Sequence, residues 1–65
     1  MKILINGENR ETSAGTVHLL LEELDLLPTQ VAVEHNGMVL FRHELSQKKL
    51  CEEDRIEIIR VVAGG

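Results

Sequence analysis

The two residues at the end of the chain, Gly64 and Gly65, are where this sequence offers chemistry of its own. They follow the β-branched run Arg55-Ile56-Glu57-Ile58-Ile59-Arg60-Val61-Val62-Ala63 without a break. Glycine usually serves turns that need positive φ, or helix C-termini, and the end of a strand calls for neither. What remains is backbone without side chains. Ala63, Gly64 and Gly65 can be drawn extended through a cleft too narrow for any larger side chain, so that the α-carboxylate of Gly65 reaches another protein's active site. Five residues counted from Val61 span at most about 17 Å, enough to thread a channel. The plain alternative is a frayed terminus.

Other residue types with chemical potential are less well placed. Cys51 could act as a nucleophile or carry a persulfide, but no motif sets a His or Asn beside it. The acids Glu52, Glu53 and Asp54 follow it and disfavour a thiolate. It reads as a structural cysteine, a small hydrophobe. His18, His35 and His43 lack the i, i+4 spacing of a helical metal pair, so no metal site is expected. Asn6-Gly7-Glu8 is a turn with no Lys-Ser/Thr after it, and no phosphate-binding loop is present. The acidic groups Glu22-Glu23-Asp25 and Glu52-Glu53-Asp54 read as solvated faces that can steer a basic partner.

Sixty-five residues, 43% hydrophobic and with Phe41 the sole aromatic among Phe, Trp and Tyr, make one domain spanning residues 1–65 with an aliphatic core. A polypeptide of this size buries only about 60% of its unfolded surface, so its stability should be modest. Eleven acids against seven bases give a net charge of −4. Nucleic acid is not an expected partner, because a basic face and stacking aromatics are both lacking. A single cysteine forms no internal disulfide, Met1-Lys2-Ile3 opens a strand rather than a signal peptide, and no apolar run approaches a membrane span. The expectation is a cytoplasmic protein that is a monomer on its own and keeps away from membranes.

The elements that position the terminal residues follow from periodicity. Lys2-Ile3-Leu4-Ile5 predicts a strand, Asn6-Gly7 a tight turn, and Glu8 to Thr12 a return arm whose lack of apolar residues places it at a sheet edge. Thr16 is the expected N-cap of a helix with Val17, Leu20, Leu21 and Leu24 on one face. The helix must end before Pro28, with Leu27 packing under its last turn. Val31 to His35 alternates, Asn36-Gly37 turns, and Met38 to Phe41 returns, which puts Val31, Val33, Met38 and Leu40 on the helix side. Arg42 to Leu50 reads as a loop with one helical turn near His43-Glu44-Leu45, anchored by Leu45 and Leu50.

This order of two strands, helix, two strands, loop and last strand is that of an α+β β-grasp unit, a mixed sheet of four to five strands with one main helix. The first and last strands become parallel central neighbours, and Ile3, Ile5, Ile56 and Ile58 floor the helix. The same alternation turns Leu4, Ile59 and Val61 to the opposite face, where a cluster of aliphatic side chains reads as a docking patch.

The length, the runs Val31-Ala32-Val33-Glu34-His35-Asn36-Gly37 and Asp54-Arg55-Ile56-Glu57-Ile58-Ile59-Arg60, and the Ala63-Gly64-Gly65 end together resemble the ThiS family, the ubiquitin-like sulfur carriers of thiamin thiazole synthesis. Three positions depart from the family pattern. Glu8 to Thr12 lacks the usual alternating apolar residues, Glu53 stands where many relatives have glycine, and Phe41 replaces a frequent proline. The resemblance implies a carrier rather than an enzyme, with no bound cofactor. An E1-like (ThiF-like) adenylyltransferase would use ATP to adenylate Gly65, a cysteine desulfurase or other persulfide donor would convert it to a thiocarboxylate, and a ThiG-like thiazole synthase would take the sulfur. Two alternatives stay open: the small subunit of molybdopterin synthase, and a β-grasp interaction module or protein modifier.

Overall fold

In the computed structural model, which describes residues 1–61, the strands are β1 (Lys2–Ile5), β2 (Glu8–Glu11), β3 (Val31–His35), β4 (Met38–Leu40) and β5 (Arg55–Arg60). The helix α1 (Val17–Glu23) follows β2, and single 3-10 turns occupy Pro28–Gln30 and Arg42–Glu44. The five strands form one mixed sheet in the order β2-β1-β5-β3-β4, which is the ubiquitin-like β-grasp. The last strand is thus the middle one. It runs parallel to β1, with Leu4 beside Arg55 and Ile5 beside Ile56, and antiparallel to β3 over five pairs from Val31–Arg60 to His35–Ile56.

Local chemistry explains each element. Both hairpins turn on Asn-Gly, with φ of 50° and 83° at Asn6 and Gly7 and of 49° and 87° at Asn36 and Gly37. Positive φ at both central residues gives the turn whose twist matches that of paired strands. Thr16 caps α1 by accepting the Leu19 N–H on its Oγ1 at 3.2 Å. The next free donors of the first turn, Val17 and His18, bond to the carbonyls of Lys48 and Leu45, so the loop before β5 closes the helix start. At the other end Asp25 takes φ 60°, its N–H bonds to Glu22 C=O and that of Leu26 to Leu21 C=O. This Schellman arrangement stops the helix at Glu23, five residues before Pro28.

The core lies between α1 and the sheet. Ile3, Val17, Leu20, Leu21 and Ile56 are fully buried, with Ala14, Val33, Leu40, Leu45 and Leu50 around them and Ile5, Leu24 and Ile58 at the margin. Each fully buried branched residue contributes about 1.5–3 kcal/mol relative to exposure. The all-polar β2 and the residue after it are tied to α1 by polar groups. Arg10 Nε and Thr12 Oγ1 donate to the two oxygens of Glu23 on α1, at 3.0 and 2.7 Å. The Thr12 hydrogen bond, outweighing the cost of burial, keeps the Glu23 carboxyl below its ordinary range with help from Arg10.

Three expectations are corrected. Met38 does not cover the helix; it is 71% exposed. Met38 lies at the turn end of the edge strand β4, opposite His35, and only Leu40, two residues on, reaches the core. Leu27 is exposed, because the Schellman turn delivers Leu26 to the core in its place. Cys51 is exposed rather than a packed small hydrophobe, since the loop places Leu50 inward and turns the next residue out.

Two of the departures from the family pattern also acquire a physical meaning. Phe41 has φ −79°, which proline could adopt, but its N–H donates to Glu44 Oε1 at 2.8 Å and its C=O accepts the Glu44 N–H, so Glu44 caps the end of the β4 edge. Glu53 has φ 72°, the left-handed region that favours glycine. Its exposed ion pair with Lys2, 3.2 Å, offsets little of that strain. Glu53→Gly is therefore expected to stabilise the fold by about 1 kcal/mol, read as a raised midpoint in urea unfolding; an unchanged or lowered midpoint would contradict the strain.

Candidate functional site

Because β5 is both the central strand and the segment that precedes the terminal glycines, the site is organised by what holds β5. Ala63, Gly64 and Gly65, singled out by the sequence, lie outside the described residues. Pairing of β5 with its neighbour extends to Val61, whose N–H donates to Gln30 C=O at 2.8 Å.

Alternation along β5 sends Ile56 and Ile58 to the helix side and Arg55, Glu57, Ile59 and Val61 to the open face. Ile59 and Val61 are 57% and 53% exposed there. Register sets Ile59 beside Ala32, and the β3–β4 register carried one pair further sets Ala32 beside the exposed Phe41. The result is an apolar row across three strands, flanked by Val61 and the exposed Val39. Phe41 stacks parallel on His43 with ring centroids 6.3 Å apart. Leu4 is on the same face but not in this row. It is half-buried beside Arg55, four residues of β5 from Ile59, or about 13 Å. Next to the row, Glu34 and Glu57 face each other across β3 and β5, an arrangement like charges disfavour within a sheet and a basic partner would relieve.

The start of β5 is fixed by one buried carboxylate. Asp54 Oδ2 accepts from His35 Nε2 and from Cys51 N–H, both at 2.8 Å, and Oδ1 accepts from Asn36 Nδ2 at 3.1 Å. Its backbone oxygen accepts the Leu4 N–H at 2.9 Å. Burial alone would raise this carboxyl, but the hydrogen bonds from Asn36, Cys51 N–H and His35, with the charge of His35, outweigh it and hold Asp54 below the usual carboxylate range. His35 and Asp54 are thus engaged in joining segments, with side chains only 12% and 11% exposed.

Two asparagines that sequence reasoning treated only as turn residues complete the grip. Asn36 Oδ1 accepts the Arg55 N–H at 2.8 Å. Asn6 pairs with Ile58 as a strand would, accepting its N–H at 2.8 Å and donating to its C=O at 3.2 Å. The Asn-Gly pattern signals a turn but carries no sign of these long-range bonds. Among the described residues no group of three or more His, Cys, Asp or Glu could hold a metal ion, and no helix is long and apolar enough to cross a membrane.

The ThiS family model matches residues 3–65. The chain belongs to the ThiS family. Among its relatives is the sulfur carrier protein ThiS of Escherichia coli, 36% identical with both proteins covered in full. The crystal structure of the thiamine biosynthesis protein ThiS from Geobacter metallireducens superposes with a TM-score of 0.84 at 28% identity, again over the whole of both molecules. Two further relatives are named thiazole synthase. Those of Paramagnetospirillum magneticum and Magnetococcus marinus are 39% and 41% identical over all of this chain, which spans only 20% of their own length. A ThiS-like segment in those proteins therefore shares a polypeptide with a much larger remainder.

The Asp54 anchor has a pH signature. A carboxyl held low in the folded state contributes stability that is complete above its unfolded pKa, about 3.9, and is lost as pH falls through the lower folded value. Asp54→Asn is expected to cost about 2–3 kcal/mol near neutral pH, because the part-buried donors of His35, Cys51 N–H and Asn36 are left with one amide oxygen in place of two carboxylate oxygens, and to shrink the acid-side fall in melting temperature. A variant as stable as the parent protein at neutral pH would remove Asp54 from this role.

Proposed function

We propose that this ThiS-family protein is a sulfur carrier whose Gly65 carboxylate is adenylated and then converted to a thiocarboxylate, for sulfur donation in thiazole formation during thiamin synthesis. The observation that carries this reading is the full-length match to the family, with Gly64-Gly65 closing the segment that starts as the central strand. A carboxylate is a poor electrophile, so an E1-like activating enzyme must transfer AMP from ATP to Gly65, with release of pyrophosphate. A persulfide sulfur, from a cysteine desulfurase or rhodanese-type donor, then attacks the acyl carbon and displaces AMP. A second thiol cleaves the resulting acyl disulfide, leaving the thiocarboxylate on Gly65. Thiazole synthase takes the sulfur and returns the carboxylate.

The carrier's own part is to present the tail and to be recognised. It acts as a co-substrate in the cytoplasm, where a lone thiol stays reduced. Thiazole synthase as a partner is supported by the relatives that join such a segment to that name in one polypeptide. The row Phe41–Ala32–Ile59 with Val61, and Leu4 at its distance, is the face offered to the activating enzyme and the acceptor. Glu34 and Glu57 beside it select a basic surface. Cys51, exposed and next to Glu52, is not the sulfur carrier.

Intact mass after incubation with ATP, an activating enzyme and a sulfur source tests the chemistry. Exchange of sulfur for oxygen at Gly65 is expected, also in Cys51→Ser, whereas deletion of Gly65 or Gly64→Val should abolish adenylation without altering the fold. A lysine conjugate in place of the thiocarboxylate would indicate a protein modifier instead. A folded, adenylated Cys51→Ser that gains no sulfur would return Cys51 to the mechanism.

For the open face, Ile59→Asp is expected to weaken binding to the activating enzyme or acceptor by about 1–3 kcal/mol with little change in melting temperature. Ile58→Asp should instead unfold the protein, because that residue packs against the core. Equal loss of melting temperature in the two variants would refute the separation of faces.

A further inference from the structure

Asn6-Gly7 and Asn36-Gly37 are the two tight turns of the sheet, and each is a place where the peptide can attack itself. The backbone nitrogen of a residue that follows asparagine can add to the asparagine's amide carbon, and glycine, lacking Cβ, crowds that approach least. Around both glycines the space is open: a Cβ placed on Gly7 or Gly37 would meet nothing within 4 Å. The restraint comes from the amides instead. Asn6 is held at both polar atoms of its amide by the backbone of Ile58, and Asn36 by Arg55 N–H and the Asp54 carboxylate. All these partners belong to β5 or to the residue just before it. With its oxygen and nitrogen engaged, neither amide can swing toward the glycine nitrogen until β5 lets go.

We propose that Asn6 and Asn36 are sites of spontaneous deamidation that β5 holds closed, and that conversion at Asn36 unties the Asp54 anchor. The Gly37 nitrogen bonds to the amide carbon of Asn36 and gives up its proton, the bond from that carbon to Nδ2 breaks, and ammonia leaves. Water then opens the five-membered imide at either carbonyl, giving aspartate or isoaspartate. The sum is one water consumed and one ammonia released, with no redox partner. At Asn36 the product puts a carboxylate where an N–H had donated to Asp54 Oδ1 at 3.1 Å. Two anions then face each other at the start of β5. At Asn6 the same change sets a carboxylate against the Ile58 C=O. Each conversion therefore loosens the strand that had prevented it, and the two turns favour each other's loss.

The test follows both turns in the full-length protein at mildly alkaline pH, once native and once in denaturant, by peptide mapping that separates aspartate from isoaspartate. Both sites should convert in denaturant, and at least about tenfold more slowly in the native protein, where reaction waits for local opening. Equal rates in the two conditions at either turn would overturn the proposal. Absence of conversion in denaturant would do the same. A second arm supplies the product directly as Asn36→Asp and reads the native conversion rate of Asn6 alongside the melting temperature. A lowered melting temperature with faster loss of Asn6 is expected, and a variant that does not fold, with Asn6 converting at the denatured rate, supports the same conclusion. Parental melting temperature with Asn6 still protected would refute the anchoring role.

Discussion

One buried carboxylate, Asp54, sets the position of the strand on which everything else is built. Its oxygens gather donors from the β3–β4 hairpin and from the loop at Cys51, and its backbone meets β1. Three segments far apart in sequence are brought to one point by a group that would be costly to bury alone. The cost is met because each donor is itself a group that needs an acceptor when buried. From that point β5 runs between β1 and β3, and Ile56 and Ile58 reach the floor of the core while Ile59 and Val61 reach the open face.

Much of this was legible in the sequence. Val17, Leu20, Leu21 and Leu24 marked α1 by a spacing that only one helical face satisfies, and Thr16 marked its start. Both hairpins were readable from Asn-Gly between alternating runs, and the parallel contact of β1 with β5 followed from the order of elements. What was not legible depended on distance in sequence or on extent. Pattern shows that Met38 shares a face with Leu40, but not that the core ends before the turn end of β4. It shows Leu26 and Leu27 before Pro28, but not which of them a left-handed Asp25 delivers inward. The bonds of Asn6 to Ile58 and of Asn36 to Arg55 join residues 52 and 19 apart, and nothing local records them.

For the candidate site the division is similar. The open face was expected from alternation, and Ile59 and Val61 lie there. That Ala32 and Phe41 extend the row is a matter of register, which the period-two pattern leaves free until the turn fixes it. The acid pair Glu34–Glu57 appears only when β3 and β5 are laid side by side. Core residues and exposed apolar residues thus alternate along one strand, so that a shift of one residue in phase exchanges the two faces.

The capping of Phe41 by Glu44 reaches beyond the end of β4. In this strand of three residues, the hairpin register directs the backbone groups of Met38 and Leu40 toward β3, which leaves Val39 to face outward. At the opposite side of the sheet β2 presents only Glu8, Asn9, Arg10 and Glu11. Short length at one border and charge at the other make both poor templates for another strand, although the sheet carries a β-branched centre of the kind that feeds fibrils when it is left bare. Borders of this kind disfavour edge-to-edge pairing between copies of the chain, so that the β-branched centre stays enclosed by strands that do not propagate it.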